Sequence, residues 1–220
     1  MAEYDKFAKE YLQGTEELER KTRENFRSLL PDLAGKRLLD VGRGPGVDGI
    51  YYNEQGAEVY GIDISSKEIE MARDLRCGNF RVGDMNELPY SDNSFDIVTS
   101  FYAIQHVEDV KRPILEMIRV AKPGGPIAFV ATHPFRQFIE GYIYDGDKDY
   151  YSKNLATCYI FNRKIKLIEP KHNVMDYLSP EVLDIANLER VIENTNFPAS
   201  EQIIPGLIHP TDIMMKFRKK

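Results

Sequence analysis

The sequence predicts an α/β fold: one domain built on a parallel sheet with helices on both faces. Three observations carry that prediction. Short apolar runs alternate with amphipathic stretches of helical length between residues 36 and 131, a rhythm that requires right-handed crossovers and therefore parallel strands. The first run, Leu38-Leu39-Asp40-Val41, feeds directly into Gly42-Arg43-Gly44-Pro45-Gly46. Glycines at alternate positions of a strand-to-helix turn admit positive φ and let a ligand lie against the backbone. A length of 220 residues accommodates one such domain with a full core and is short for two.

Taken in order, residues 4–30 are expected to be helical, with Phe7, Tyr11, Leu18, Phe26 and Leu29-Leu30 on a charged background and Pro31 as the stop. Residues 1–34 thus form an N-terminal helical cap ahead of the sheet. Strand one covers 36–41, a helix follows over 47–55 and stops at Gly56, and strand two covers 57–62. Ser65-Ser66-Lys67-Glu68 is a capping box that opens a helix to about residue 76. Strands are expected at 79–82, 94–100 and 127–131, with a helix at 110–121 closed by Lys122-Pro123-Gly124-Gly125.

The rhythm breaks after residue 132. From 133 to 179 no strand-helix unit of ordinary length is visible, and a connection that long inside a compact domain is a lid or binding element. We therefore expect an aromatic-rich lid insertion at 133–179, holding Phe135, Phe138, Tyr142, Tyr144, Tyr150, Tyr151, Tyr159 and Phe161, with a hairpin from 157–162 and 164–168. Its alternative is a satellite core under a long loop. Ser179-Pro180-Glu181 starts a helix expected to reach residue 194, through a serine cap, a first-turn proline and an acid near the positive end of the dipole. Two last strands are expected near 201–204 and 212–217.

Composition narrows the function. Hydrophobic residues make up 42% and charged residues 29%, and no apolar run approaches the roughly 20 residues of a membrane span. A net charge of −6 argues against holding nucleic acid by its phosphates. The basic cluster Lys216, Arg218, Lys219 and Lys220 reads as a solvated tail. The first residues lack the basic and apolar regions of a secretory signal, and Cys77 and Cys158 are lone thiols, so a cytoplasmic location is expected. No histidine or cysteine pair has metal-ligand spacing, and no metal is expected.

The glycine turn discriminates between ligands. A dinucleotide site wants G-x-G-x-x-G, whose third glycine admits a close helix behind a pyrophosphate. Here Val47 stands at that place and Asp40 lies two residues before Gly42, which suits a ligand without phosphates whose ammonium wants a carboxylate. This disfavours a nicotinamide-dependent oxidoreductase. Asp63, at the end of strand two and about 20 residues past the turn, is placed to accept both ribose hydroxyls, although an acid at a strand end also serves as a cap. Gly83-Asp84-Met85 ends strand three, where a carboxylate can accept from an adenine amino group and an apolar neighbour can cover the ring.

Together LLDVGRGPG, VYGIDIS, VGDMNELPYSDNSFDIV, the QHV stretch and KPGG, in that order and spacing, resemble the class I S-adenosylmethionine-dependent methyltransferases. The likeness is closest to the small-molecule branch that includes ubiquinone and menaquinone biosynthesis enzymes. It covers residues 35–132 and continues beyond them at the level of the fold. It implies a Rossmann-like, seven-stranded, mostly parallel sheet whose last strand inserts antiparallel between strands five and six. It also implies S-adenosylmethionine as cofactor and a small molecule as methyl acceptor. On the matching positions, Asp40, Gly42, Gly44 and Gly46 would hold the methionine part, Asp63 the ribose, Ile64 and Met85 the adenine faces and Asp84 its amine. Phe101 would sit beside the methionine, and Gln105 and His106 would face the acceptor. Tyr4 and Tyr11 would fold over the cofactor or pack on the surface. Arg43 departs from the pattern: a long cation between the first two glycines must point away from the ligand, pair with an acid, or reach the acceptor.

Methyl transfer needs little from a protein beyond alignment and exclusion of water. A base is required only where the acceptor must lose a proton, and His133, at the end of strand five, and His106 are the two candidates. Each has the alternative of a structural histidine. A cofactor-binding protein without transfer activity and an RNA methyltransferase are the competing functions.

Overall fold

The computed structural model describes residues 19–160, 165–194, 203, 204 and 206–220. Helix α1 (Arg20–Arg27) precedes β1 (Arg37–Val41), α2 (Val47–Glu54), β2 (Glu58–Asp63), α3 (Ser66–Asp74), β3 (Asn79–Val82), β4 (Ile97–Phe101) and α4 (Lys111–Val120). The chain continues through β5 (Pro126–Thr132), α5 (Pro134–Asp145), β6 (Leu155–Ile160), β7 (Ile165–Pro170), α6 (Val174–Tyr177), α7 (Pro180–Ile185), β8 (Ala186–Asn194) and β9 (Asp212–Lys219). The seven-stranded sheet has the order β3-β2-β1-β4-β5-β9-β8. The pairs among β1 to β5 are parallel, and β9 runs antiparallel between β5 and β8. The expected fold class is the one observed.

Alternation along the strands divides the core between two faces. Leu39, Val41 and Val98 join Phe95, Ile114, Met117, Phe129 and Phe217 on one side, whereas Leu38, Val59 and Ile97 join Tyr52, Ile69 and Phe80 on the other. Helix α1 closes a third cluster, Phe26 with Phe101, Val130 and Met214. The Ser65 cap is as expected, its hydroxyl accepting from the Glu68 amide at 3.1 Å.

Three expectations need correction. The N-terminal helix ends at Arg27 rather than residue 30, and its expected part over residues 4–18 lies outside the described residues. The stretch after β5 is no structureless connection: His133 caps α5, Pro134 occupies its first turn and Gly146 ends it at φ 74°. The aromatics and Gly141 blurred its period. The helix from Ser179 stops at Ile185, and residues 186–194 form the edge strand β8. Its charges resemble a helix surface because most of its side chains are exposed, and only main-chain pairing to β9 reveals it. Consequently Ile203 and Ile204, expected in a strand, lie in a bend. The hairpin within 133–179 is present as β6 and β7, with Leu155 opposite Pro170 and Ile160 opposite Ile165.

The strand order reverses between β1 and β4, and the crevice at the carboxyl ends of such strands is where open α/β sheets bind ligands.

Candidate functional site

A cavity of about 250 Å³ opens in that crevice. It is lined by Asp40, Gly42, Gly44, Asp63, Ile64, Asp84, Met85, Phe101 and His106, all singled out from the sequence. Arg23, Asp48 and Tyr102 also line it, and sequence reasoning missed them. Gly46 and His133 are not among the lining residues.

The three turn glycines are required for three different reasons. A Cβ on Gly42 would lie 2.2 Å from that of Ala103. A Cβ on Gly44 would meet nothing within 4 Å, so this residue leaves the space that a ligand can use. A Cβ on Gly46, the cap residue of α2, would lie 2.0 Å from Nη2 of Arg43. Asp63 holds the turn shut: its two carboxylate oxygens accept from the amides of Gly44 and Ser65, each at 2.9 Å. Burial pushes its carboxyl above the ordinary range, opposed by those two amides.

Arg43 is among the residues that line the cavity, while its guanidinium packs against Phe80. Its guanidinium is buried behind the turn, 3.4 Å from the Phe80 ring centroid, and Nη2 donates to the Gly46 carbonyl at 3.0 Å. Gly49 and Gly61 make room for it, since a Cβ on either would come within 2.4 Å of the side chain. None of Gly46, Gly49, Gly61 and Phe80 lines the cavity.

At the inner end Asp40 is 2% exposed and accepts from the Thr99 hydroxyl at 2.9 Å. Burial pushes its carboxyl up to about 6, against the lowering influence of Arg43. Arg23 reaches in from α1, with its guanidinium carbon 4.2 Å from the Phe101 ring centroid, and pairs with Glu19 at 2.8 Å and with Asp48. Desolvation pushes the Glu19 carboxyl up to about 7, with Arg23 opposing. Tyr102, directly after β4, has a left-handed backbone at φ 49°, and its hydroxyl donates to Asp212. A tyrosine in that conformation is strained and must be held by its surroundings. At the rim Ile64 is 66% exposed, and Asp84 accepts from the amide and side chain of Asn86 at 2.8 and 3.0 Å.

The histidines separate clearly. His133 is buried as the cap of α5: Nδ1 accepts from the Phe135 amide at 3.0 Å and Nε2 lies 2.9 Å from Glu193. Burial lowers its pKa from the ordinary value. His106, in a short 3-10 turn at residues 104–106, lines the cavity and approaches Glu169 through Nδ1 at 3.2 Å. His172 is buried, Nε2 donating to the Gln105 carbonyl at 3.0 Å. Among the described residues no cluster of histidine, cysteine, aspartate and glutamate is arranged to hold a metal ion, and no helix is long and apolar enough to cross a membrane.

Residues 39–129 match the family model of the methyltransferase domain. The chain is 32% identical over 139 residues to a demethylmenaquinone methyltransferase of Renibacterium salmoninarum, across 60% of this chain and 59% of that protein. It is 33% identical over 127 residues to a malonyl-acyl-carrier-protein O-methyltransferase of Pectobacterium atrosepticum, across 57% and 47% of the two chains. The matched region thus spans between about half and three fifths of these relatives. The solved structure of an S-adenosylmethionine-dependent methyltransferase from Mesorhizobium loti, 22% identical, superposes with a TM-score of 0.68 over 89% of this chain and 96% of its own.

Proposed function

On the premise that this chain carries a methyltransferase domain on the fold of the class I S-adenosylmethionine-dependent methyltransferases, we propose that it transfers a methyl group from S-adenosylmethionine to a small-molecule acceptor. One observation carries the reading. Asp40, Asp63 and Asp84, at or just past the ends of β1, β2 and β3, line a single cavity beside a glycine whose missing side chain leaves open space.

The cofactor supplies a methyl carbon on a sulfonium, an electrophile with a good leaving group. The residues present fit it. The desolvated Asp40 carboxylate suits an ammonium, and Arg23, over Phe101, suits the neighbouring carboxylate. Asp63 keeps lone pairs for ribose hydroxyls while its amide contacts hold Gly44 in place. Ile64 and Met85 offer apolar cover for a base, and Asp84 an acceptor for its amine. In this reading Gly46 acts indirectly, by admitting Arg43 behind the turn, and His133 acts as a helix cap. His106 is the proton acceptor. Alignment of two bound groups out of water supplies much of the about 7–11 kcal/mol available from proximity.

The contacts of the Arg43 guanidinium with the Phe80 ring and the Gly46 carbonyl support transfer over binding without transfer, since the cation of the turn is engaged there. The net charge of −6 supports a small molecule over RNA as acceptor. Two free, buried thiols, Cys77 and Cys158, support a reducing cytoplasm as the working compartment.

Calorimetric titration with S-adenosylmethionine tests the reading: saturable binding is expected, weakened about tenfold or more by Asp63→Ala, the equivalent of about 1.4 kcal/mol. No heat and no rise in melting temperature with the cofactor would overturn it.

A further inference from the structure

Strand β7 alternates buried and exposed positions, and its inward places hold Ile165, Leu167 and then Glu169. A carboxylate therefore stands where the strand's pattern calls for an apolar side chain, 3% exposed. Burial of a charge is unfavourable unless the group is paired. Its partners are His106, whose Nδ1 is 3.2 Å from Oε1, and Gln137 of α5, whose Nε2 donates to Oε2 at 3.2 Å. Gln137 is fully buried and is itself held, its Oε1 accepting from the His172 amide at 3.2 Å.

The other side of the imidazole is equally determined. Nε2 of His106 lies 3.2 Å from Nε2 of Gln105, an amide donor, while Oε1 of Gln105 is buried without a hydrogen-bond partner. A donor at Nε2 and a carboxylate at Nδ1 select one neutral tautomer, with the proton on Nδ1 and the lone pair on Nε2. The ring belongs to the cavity wall, and the carboxylate comes from a hairpin 63 residues further along the chain.

We propose that Glu169 is the positioning residue of a His106–Glu169 proton-accepting pair, and that the acceptor this pair serves is a weakly acidic hydroxyl of phenol or enol type. The proposal rests on reading the cavity as a methyl-transfer site. A carboxylate acceptor is already ionised and needs no base, and an amine attacks through a free lone pair. A hydroxyl is a poor nucleophile until its proton leaves, and an imidazole backed by a carboxylate removes it and stabilises the imidazolium that forms. In the balanced step the acceptor hydroxyl takes the place of the Gln105 amide at Nε2, its O–H bond breaks with the proton passing to Nε2, and the oxygen bonds to the methyl carbon. The carbon–sulfur bond breaks with its electron pair remaining on sulfur, and the proton later passes to water.

The experiment uses the full chain, S-adenosylmethionine and a series of phenols from strongly to weakly acidic, with Glu169→Gln and His106→Asn beside the unaltered protein. In both variants the loss of transfer to weakly acidic phenols is expected to exceed the loss with phenols already ionised at the assay pH by at least about tenfold. Transfer to weakly acidic phenols is expected to fall about 10²-fold, the usual worth of a general base. A loss uniform across the series, or no loss, would overturn the proposal. Nitrogen-15 NMR of the unaltered protein supplies a readout independent of the acceptor and of how the variants fold: His106 is expected as the Nδ1–H tautomer, and an Nε2–H tautomer would overturn the pairing. Cofactor binding without transfer to any phenol would overturn the acceptor class, whereas failure to bind the cofactor would overturn the methyltransferase reading itself.

Discussion

The guanidinium carbon of Arg43 stands 3.4 Å from the Phe80 ring centroid, and the side chain runs beside Gly49 of α2 and Gly61 of β2. This cation–π contact, with the bond from Nη2 to the Gly46 carbonyl, makes Arg43 a packing residue of the turn. Replacing it by alanine empties the space that Gly46, Gly49 and Gly61 enclose. Arg43→Ala is expected to lower stability by about 2–4 kcal/mol in urea unfolding, with cofactor affinity in the protein that remains folded changing only a few-fold. A hundredfold loss of affinity at unchanged stability would show instead that the side chain meets the ligand.

Gly49 and Arg43 are expected to be energetically coupled. The three atoms nearest to a Cβ at Gly49 all belong to the Arg43 guanidinium, Nη2 lying 2.4 Å away. In a helix interior alanine is ordinarily better than glycine by about 1 kcal/mol. Gly49→Ala should therefore be more favourable in the Arg43→Ala background than in the parent, by about 1 kcal/mol or more in a double-mutant cycle. Strict additivity would contradict the packing described.

Asp40 gives cofactor binding a pH dependence with a definite sign. Its folded-state pKa is raised to about 6 from 3.8, chiefly by burial, with Thr99, Arg23 and Arg43 opposing and Asp63 adding to the rise. A raised carboxyl pKa means that the empty fold gains stability from Asp40 below pH 3.8 and loses it as pH rises through about 6. Binding an ammonium needs the ionised form, so affinity is full above about 6 and falls as pH drops through that value. Calorimetry between pH 5 and 8 should record the fall, and Asp40→Asn should bind weakly with that component of the dependence removed.

Tyr102 combines a left-handed backbone with a hydroxyl bonded to Asp212, which joins the end of β4 to the start of β9 across β5. Tyr102→Phe removes a donor from a carboxylate that is 2% exposed. A loss of about 1–3 kcal/mol in thermal or urea unfolding is expected. Unchanged stability would show that the carboxylate does not depend on this hydroxyl.

The residues that sequence alone identified are those whose role follows from position along one strand and its turn. Asp40, Asp63 and Asp84 lie at or just beyond successive strand ends, and a parallel sheet necessarily brings such ends to one edge; the cavity lining confirms their neighbourhood. Gly42 and Gly44 were legible for the same reason. Six of the seven sheet strands, and the antiparallel insertion of the last, followed from the strand-helix rhythm together with the family resemblance.

Tertiary structure decided everything that depends on which distant segment arrives next. The direction taken by Arg43 was set by empty space at Gly49 and Gly61, six and 18 residues away. Arg23 enters the site only because α1 packs Phe26 against Phe101, with ring centroids 5.5 Å apart. Strand β8 exists because β9 offers it a ladder, since its own exposed side chains carry almost no hydrophobic period. His106 and His133 were indistinguishable as candidate bases by local sequence. A buried carboxylate from β7 meets one at the cavity wall, whereas a helix amide and an edge-strand glutamate occupy both nitrogens of the other. Local sequence determines which groups a strand end presents; only packing between segments far apart in the chain determines their partners, and hence their chemistry.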